Sequence, residues 1–247
     1  MKPQIKLATA RTPDGGEMEL FQHDRDFLIK INGQELMNSR QHESEQELAR
    51  LGCAHLTGRQ AACVLIGGMG MGYTLRQSLD MLGPDATVVV SELLPSVIDW
   101  NREYLSQLNG QPLGDKRTSV ITGDIYHLIS QSIRKFDAIL LDVDNGPRAM
   151  TDAGNQRLYG PDGILACQRA LRKHGSLAVW SSETSKDFEQ LLISCGFHVR
   201  RYRAKAYQES NSKSFFIWVA AEDVAILPAG GGEPLPHRRK KLRESRK

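Results

Sequence analysis

Two aspartates stand at the end of one of the most apolar runs in the chain. Phe136-Asp137-Ala138-Ile139-Leu140-Leu141 leads into Asp142-Val143-Asp144-Asn145-Gly146-Pro147. Carboxylates at such a tip can attract an ammonium group and help it lose the proton that keeps its nitrogen from attacking. Asp-Asn-Gly-Pro is also good turn chemistry, and two acids on so apolar a run point beyond the turn. Three other segments have chemical potential. Val64-Leu65-Ile66 runs into Gly67, Gly68, Gly70 and Gly72, and backbone without side chains lets a ligand approach closely. Val88-Val89-Val90-Ser91 ends in Glu92, whose carboxylate can accept both hydroxyls of a ribose. Gly123-Asp124 follows another β-type run. Asp124 can accept from the amine of an adenine, cap the helix that follows, or do both.

The glycine spacing bears on which ligand is bound. A dinucleotide turn has the pattern G-x-G-x-x-G/A. Counted from Gly68, it requires Gly or Ala at position 73, where this chain has Tyr73. The observed G-x-G-x-G is the loop pattern of transferases that bind S-adenosylmethionine. A turn that serves only close helix–sheet packing is the plainer alternative. Glu92 lies 20 residues past Gly72, which suits either cofactor class. Alkyl transfer from a sulfonium needs an uncharged nucleophile lined up behind the carbon, so positioning is most of the catalysis.

The elements that must hold these residues alternate from residue 61 onward. β-type runs at 61–66, 87–91, 118–122, 136–141, 176–180, 197–202 and 214–220 are separated by helical patterns at 73–82, 95–105, 125–132, 156–173 and 185–194. No clear helix separates the last two strands, so they should form an antiparallel hairpin at the sheet edge. The pattern predicts an α/β fold: a doubly wound, mostly parallel seven-stranded sheet with ligands at the carboxyl ends of its strands. Before it, Glu17–His23 and Phe27–Ile31, closed by Asn32-Gly33, predict an N-terminal hairpin or small sheet. That unit should pack on the main domain or on another subunit. A helix over 42–57 follows, with Leu48, Leu51 and His55 at helical spacing. The domain reading is an N-terminal β region at 1–41, a core domain at 42–227, and a Gly/Pro linker with a tail at 228–247.

Composition narrows the function classes. The 247 residues are 40% hydrophobic and 25% charged, ordinary for a globular protein. No apolar run reaches the roughly 18–20 residues of a membrane helix. Met1–Lys6 lacks the apolar core of a secretory signal, so the expected location is the cytoplasm. Cys53, Cys63, Cys167 and Cys195 form no C-x-x-C pair and read as reduced thiols, with no metal expected. Charge is uneven. Residues 237–247 hold seven Lys/Arg against one Glu, whereas the whole chain is only +3. The tail reads as a solvated end, with weak nucleic-acid contact as the lesser alternative, and no aromatic residue interleaves it.

In order and spacing, these segments resemble the spermidine synthase family, the polyamine aminopropyltransferases, from about Phe27 to Val219. Ile66–Gly72 sits where that family has its donor loop. Glu92-Leu93-Leu94-Pro95-Ser96-Val97 resembles its acid-x-x-Pro-x-Val ribose segment, and Gly123-Asp124 its adenine segment. Asp142 matches the first acid of an Asp-x-x-Asp-Pro loop that handles the acceptor amine. Leu158-Tyr159, with Lys173-His174-Gly175 beyond, matches the next segment. The resemblance implies a methyltransferase-type fold and S-adenosylmethionine or its decarboxylated form as donor. It also implies a small-molecule amine as acceptor and a homodimer.

The chain departs from the family at three places. Gly70 stands where the family keeps an acid that holds the donor's amine. The second acceptor acid falls at Asn145, with Asp144 adjacent. A Tyr-His pair is missing near Arg40, His42, Glu43, Ser44 and Glu45; Arg40 and His42 either replace it or form a solvated helix start. Aminopropyl transfer is the leading reading, and methyl transfer to an unknown small molecule is its alternative. An NAD-dependent dehydrogenase and a non-catalytic protein that keeps the fold are further alternatives.

Overall fold

The computed structural model describes residues 3–143, 157–205, 207 and 214–232. It begins with a four-stranded antiparallel sheet: β1 (Ile5–Arg11), β2 (Glu17–His23), β3 (Asp26–Ile31) and β4 (Gln34–Asn38), paired in that order. The sequence pointed to β2 and β3 only. Asn32 and Gly33 both have positive φ, 50° and 79°, the conformation of a tight hairpin turn. That turn sends the chain back as β4. β1 then pairs along β2 from Ile5 to Arg11. Met18, Leu20 and Ile29 are buried and join the core below, so this sheet packs on the rest of the chain.

The main sheet has seven strands. In chain order they are β5 (Cys63–Gly67), β6 (Thr87–Glu92), β7 (Thr118–Thr122), β8 (Phe136–Leu141), β9 (Leu171–Ser181), β10 (His198–Lys205) and β11 (Ser214–Ala221). Their spatial order is β10-β11-β9-β8-β5-β6-β7. β7, β6, β5, β8 and β9 run parallel, whereas β11 is antiparallel to β9 and to β10. The expected terminal hairpin at the sheet edge is therefore present. Among the described residues, the helices that connect the strands are α1 (Glu43–Cys53), α2 (Tyr73–Met81), α3 (Pro95–Glu103), α4 (Ile125–Ser130), α5 (Pro161–Ala170) and α6 (Lys186–Ser194). None of the described helices is long and apolar enough to cross a membrane.

Alternate residues of each central strand feed two cores, because side chains point to opposite faces. Val64, Ile66, Ala138 and Leu140 join α1, α2 and α3 on one side. Leu65, Ile139 and Leu141 join α4, α5 and α6 on the other. All six residues of β8 are buried, as expected for a parallel strand covered on both faces. Its one charge, Asp137, is held at the strand's far end from the site. Arg172 Nη1 lies 2.7 Å from its Oδ2, Arg59 Nη2 lies 2.7 Å from its Oδ1, and the Cys63 N–H donates at 2.8 Å. Gly52 sets how closely α1 sits on the sheet: a Cβ there would stand 2.1 Å from Leu140 Cδ2.

One expected helix departs most from the pattern reading, at both of its ends. The helix expected over 156–173 is interrupted at Gly160, which is extended, with Pro161 opening α5. Proline disfavours helical backbone in the residue before it. The helix then ends at Ala170, because Leu171 pairs with Phe136 and a register shift follows before Ser176 pairs with Ala138. His174, at φ 62°, lies in that bulge. The start of that expected helix, Gln156, lies outside the described residues. Cys53 and Cys167 are buried free thiols, and Cys63 and Cys195 are partly buried ones. Beyond β11, Pro228 to Gly232 lie along β10: Gly232 N–H donates to the Arg201 carbonyl at 2.9 Å, and Tyr202 donates to the Pro228 carbonyl at 2.5 Å.

Candidate active site

The carboxyl ends of β5, β6, β7 and β8 bring the sequence-marked segments together. The glycine loop leaves β5 and threads between its neighbours. Gly68 N–H donates to the Ser91 carbonyl of β6, and Asp142 N–H donates to the Gly67 carbonyl, both at 2.9 Å. Only glycine fits at 68: its φ is 91°, and a Cβ would stand 2.3 Å from the Asp142 carbonyl oxygen. Gly72, at φ 84°, turns the chain into α2. Gly70, at φ 49°, faces a cavity, and a Cβ there would meet only Met37 Sδ at 3.7 Å.

Three side chains fasten this loop. Glu92 Oε2 accepts from Met69 N–H, and its Oε1 accepts from Leu94 N–H, both at 2.8 Å. One buried carboxylate thus joins the loop to the start of α3. Asn101 Nδ2 donates to the Gly70 carbonyl at 2.8 Å, and Asn109 Nδ2 to the Met71 carbonyl at 2.6 Å. Sequence reasoning missed both asparagines, since their roles depend on how α3 and its following loop fold back. Beyond Glu92, Leu93 is an exposed large apolar side chain. Gly123, at φ 153°, leaves open space where a Cβ would be, and its N–H donates to the Glu92 carbonyl at 2.8 Å. Asp124 caps α4, with Oδ1 accepting from Tyr126 N–H at 2.8 Å.

Asp142 stands where β8 ends. Its Oδ2 accepts from Thr74 Oγ1 at 2.8 Å, and that hydroxyl also lies 3.3 Å from the Glu45 carbonyl oxygen. Burial raises the Asp142 carboxyl above the usual carboxylate range, and the Thr74 hydrogen bond opposes the rise. Burial likewise raises Glu45, and the neighbouring charge of Asp142 adds to it. The two acids therefore hold protons more tightly than free carboxyls do. Asp144 and Asn145 lie outside the described residues.

A cavity of about 370 Å³ joins these parts. Gly70, Glu45 and Asp142 line it, facing Met37 of β4, Trp180 of β9 and Phe215 of β11. Glu35 of β4 adds a third carboxylate, and no Lys, Arg or His is among the described residues that line it. Among the described residues, no three His, Cys, Asp or Glu side chains gather closely enough to hold a metal ion.

Glu92, Leu93, Asp124, Arg40, His42 and Tyr159 are not among the residues that line this cavity. Arg40 is exposed, and its Nε donates to Asp26 Oδ2 of β3 at 2.7 Å. His42 precedes α1 and stacks on Tyr73, with ring centroids 4.3 Å apart. Its Nδ1 lies 2.8 Å from the Ser39 carbonyl, which also accepts from the Tyr73 hydroxyl at 3.0 Å. The position where a dinucleotide loop needs Gly or Ala thus holds a buried ring that clamps the approach to α1. Tyr159 is buried and donates to the Val143 carbonyl at 3.2 Å, steadying the backbone just past Asp142.

No family model matches the chain. It is 29% identical over 126 residues to a polyamine aminopropyltransferase of Saccharolobus islandicus (strain Y.N.15.51 / Yellowstone #2), covering 51% of this chain and 40% of that one. It is 26% identical over 130 residues to the polyamine aminopropyltransferase of Sulfolobus acidocaldarius, covering 53% and 42%. The matched segment thus spans about two fifths of those relatives' length. The fold is similar to that of the spermidine synthase from Thermotoga maritima, with TM-score 0.69, 18% identity, and coverage of 90% of this chain and 75% of that one. A probable spermidine synthase from Corynebacterium glutamicum gives TM-score 0.64, 16% identity, and coverage of 90% and 80%. The spermidine synthase-like resemblance and the methyltransferase-type fold therefore both stand.

Proposed function

We propose that this chain is a transferase that moves an aminopropyl group from decarboxylated S-adenosylmethionine to a small-molecule amine. One observation carries the reading: Gly70 of the glycine loop and the Asp142 carboxylate open onto the same cavity. A donor held by the loop would present its sulfonium-activated carbon toward an amine held by the acid.

The residues present fit such a donor. Glu92 stands at the end of β6, where a carboxylate can receive the ribose hydroxyls of a donor held by the loop that it fastens through Met69 N–H. Asp124 uses one oxygen as a cap and has the other for an adenine amine. Gly123 leaves room at that edge, and Leu93 offers exposed apolar surface for a ring. Bound, the donor would supply an alkyl carbon with a good leaving group. The protein's own part is to orient and to move a proton. Asp142 attracts the acceptor's ammonium and takes a proton from it, a task suited to a carboxyl of raised proton affinity; the neutral amine so formed would attack the donor carbon as its bond to sulfur breaks and the thioether leaves. Thr74 fixes the Asp142 carboxylate, and Tyr159 fixes the backbone beyond it. The walls at Met37, Trp180 and Phe215 suit an alkyl chain between amine groups.

A second reading, methyl transfer from intact S-adenosylmethionine, is favoured by Gly70, where the resembled family keeps an acid for the donor's amine. The deciding experiment incubates the protein with each donor and a panel of di- and polyamines, read by mass spectrometry. An acceptor heavier by one aminopropyl group supports the main reading, and one heavier by a methyl group supports the second. No product with either donor removes both. A homodimer and a cytoplasmic location accompany the main reading.

A further inference from the structure

Glu45 was marked by the sequence only as part of a polar helix start, yet it lines the cavity with Asp142. Thr74 ties the two residues together: its Oγ1 lies 2.8 Å from Asp142 Oδ2 and 3.3 Å from the backbone carbonyl oxygen of Glu45. The Glu45 carboxylate has its own contact, with Ser44 Oγ 3.5 Å from its Oε2.

Among the described residues, no Lys, Arg or His lines the cavity with the pair. His42, before α1, is stacked on Tyr73 with its Nδ1 at the Ser39 carbonyl. From α2 comes Tyr73, whose hydroxyl is engaged by Ser39 and whose ionisation burial strongly opposes. From β4 comes Glu35, a further acid. Arg40 is taken by Asp26, Arg50 by Glu47 and Arg76 by Asp80. The strands contribute Trp180 and Phe215, neither of which titrates near neutrality. Two features point to a ligand in this space. The cavity, of about 370 Å³, has apolar walls. Trp180, in one of those walls, has a buried indole N–H with no partner among the described residues.

We infer that Glu45 and Asp142 share one proton in the empty cavity and give it up to solvent when an ammonium group binds between them. Glu45 is thereby the residue that makes acceptor binding depend on charge. The inference rests on the proposed function for the nature of the ligand, not for the shared proton. Two like charges that line one recessed cavity resist ionising together without a counter-charge. An ammonium group provides that counter-charge. In the exchange, the protonated pair and R–NH3⁺ become two carboxylates with R–NH3⁺ bound, and one H⁺ leaves.

The first test needs no ligand. Carboxyl carbons of ¹³C-labelled protein are followed by NMR from pH 4 to 9. At least one Glu or Asp carbon should titrate well above the ordinary range, and Glu45→Gln should return Asp142 toward it. If every carboxyl titrates normally, the inference fails whether or not an amine binds. The second test titrates 1,4-diaminobutane into the protein by calorimetry at pH 7, in two buffers of different ionisation enthalpy. The expectation is release of about one proton per site in the wild type and much less in Glu45→Gln, with weaker binding that no longer strengthens with pH. Binding without proton release overturns the exchange and leaves the proposed function intact. Absence of binding by a normally folded protein overturns both.

Discussion

Glu45 and Asp142 come from different elements, α1 and the end of β8, and line one cavity; the Thr74 hydroxyl lies 2.8 Å from the Asp142 carboxylate and 3.3 Å from the backbone carbonyl of Glu45. The donor loop and the acids therefore share one wall, since Thr74 is the second residue of the helix that the glycine loop starts. A change in either acid should register in stability as well as in turnover.

The pair should cost stability as pH rises. Both carboxyls have folded proton affinities above their unfolded ones. Between the unfolded value and the raised folded one, the native state holds more protons than the unfolded chain, so stability falls with rising pH across that window. Glu45→Gln removes part of this penalty. Thermal melts should show the variant matching the wild type near pH 4 and exceeding it above neutrality, by on the order of 1 kcal/mol. Equal pH dependence in the two proteins would count against the coupling.

Asp142→Asn keeps the shape and the Thr74 contact but loses the proton acceptor. Transfer should slow by about 10²–10⁴-fold, with donor affinity nearly unchanged. Single-turnover rates measured beside donor binding separate the two effects.

Glu92 serves the loop before it serves any ligand. Glu92→Ala removes two charge-assisted hydrogen bonds, to Met69 and Leu94 N–H, and should weaken donor binding by about 1.5–3 kcal/mol, roughly 10–100-fold. Asp124→Ala should cost about 1 kcal/mol of stability as a lost cap, with a smaller loss of affinity if the free oxygen reads the adenine. Calorimetry with either form of the donor, paired with melting curves, tests both.

The glycines are not equivalent. Gly68→Ala would drive a Cβ to 2.3 Å from the Asp142 carbonyl, whereas at Gly70 the nearest atom is Met37 Sδ at 3.7 Å. Gly68→Ala should lose donor binding and several degrees of melting temperature. Gly70→Ala should cost about 1 kcal/mol, from its left-handed backbone alone. Comparable damage from the two would mean that the loop is not threaded as described.

Much of this was legible because the sheet obliges it. A buried parallel strand must be apolar and must end where its polar residues begin, so the positions of Gly68, Glu92 and Asp142 could be read from pattern, whereas Asp124 follows the partly exposed edge strand β7. Aminopropyltransferase relatives and spermidine synthase neighbours agree with the reading made from those residues. Glu45 could not be read in this way. Glu43, Ser44, Glu45 and Glu47 are all polar, and which of them faces the cavity depends on the rotation of α1 about its axis. Asn101 and Asn109 are ordinary in sequence and matter only through two backbone carbonyls. β1 and β4 were missed because both are largely exposed and bury no residue that would impose an alternating pattern.

That rotation is set by an absence. Gly52 presses its bare Cα against Leu140, so the seat of α1 on β8 is decided by one missing methyl group, seven residues along the helix from Glu45 and two residues before Asp142. About 10 Å of rigid helix lies between that contact and the acid. A small thickening there would tilt a lever whose far end is the carboxylate. The width of the gap offered to an amine can thus be retuned from deep in the packing, without altering a single group that meets the substrate.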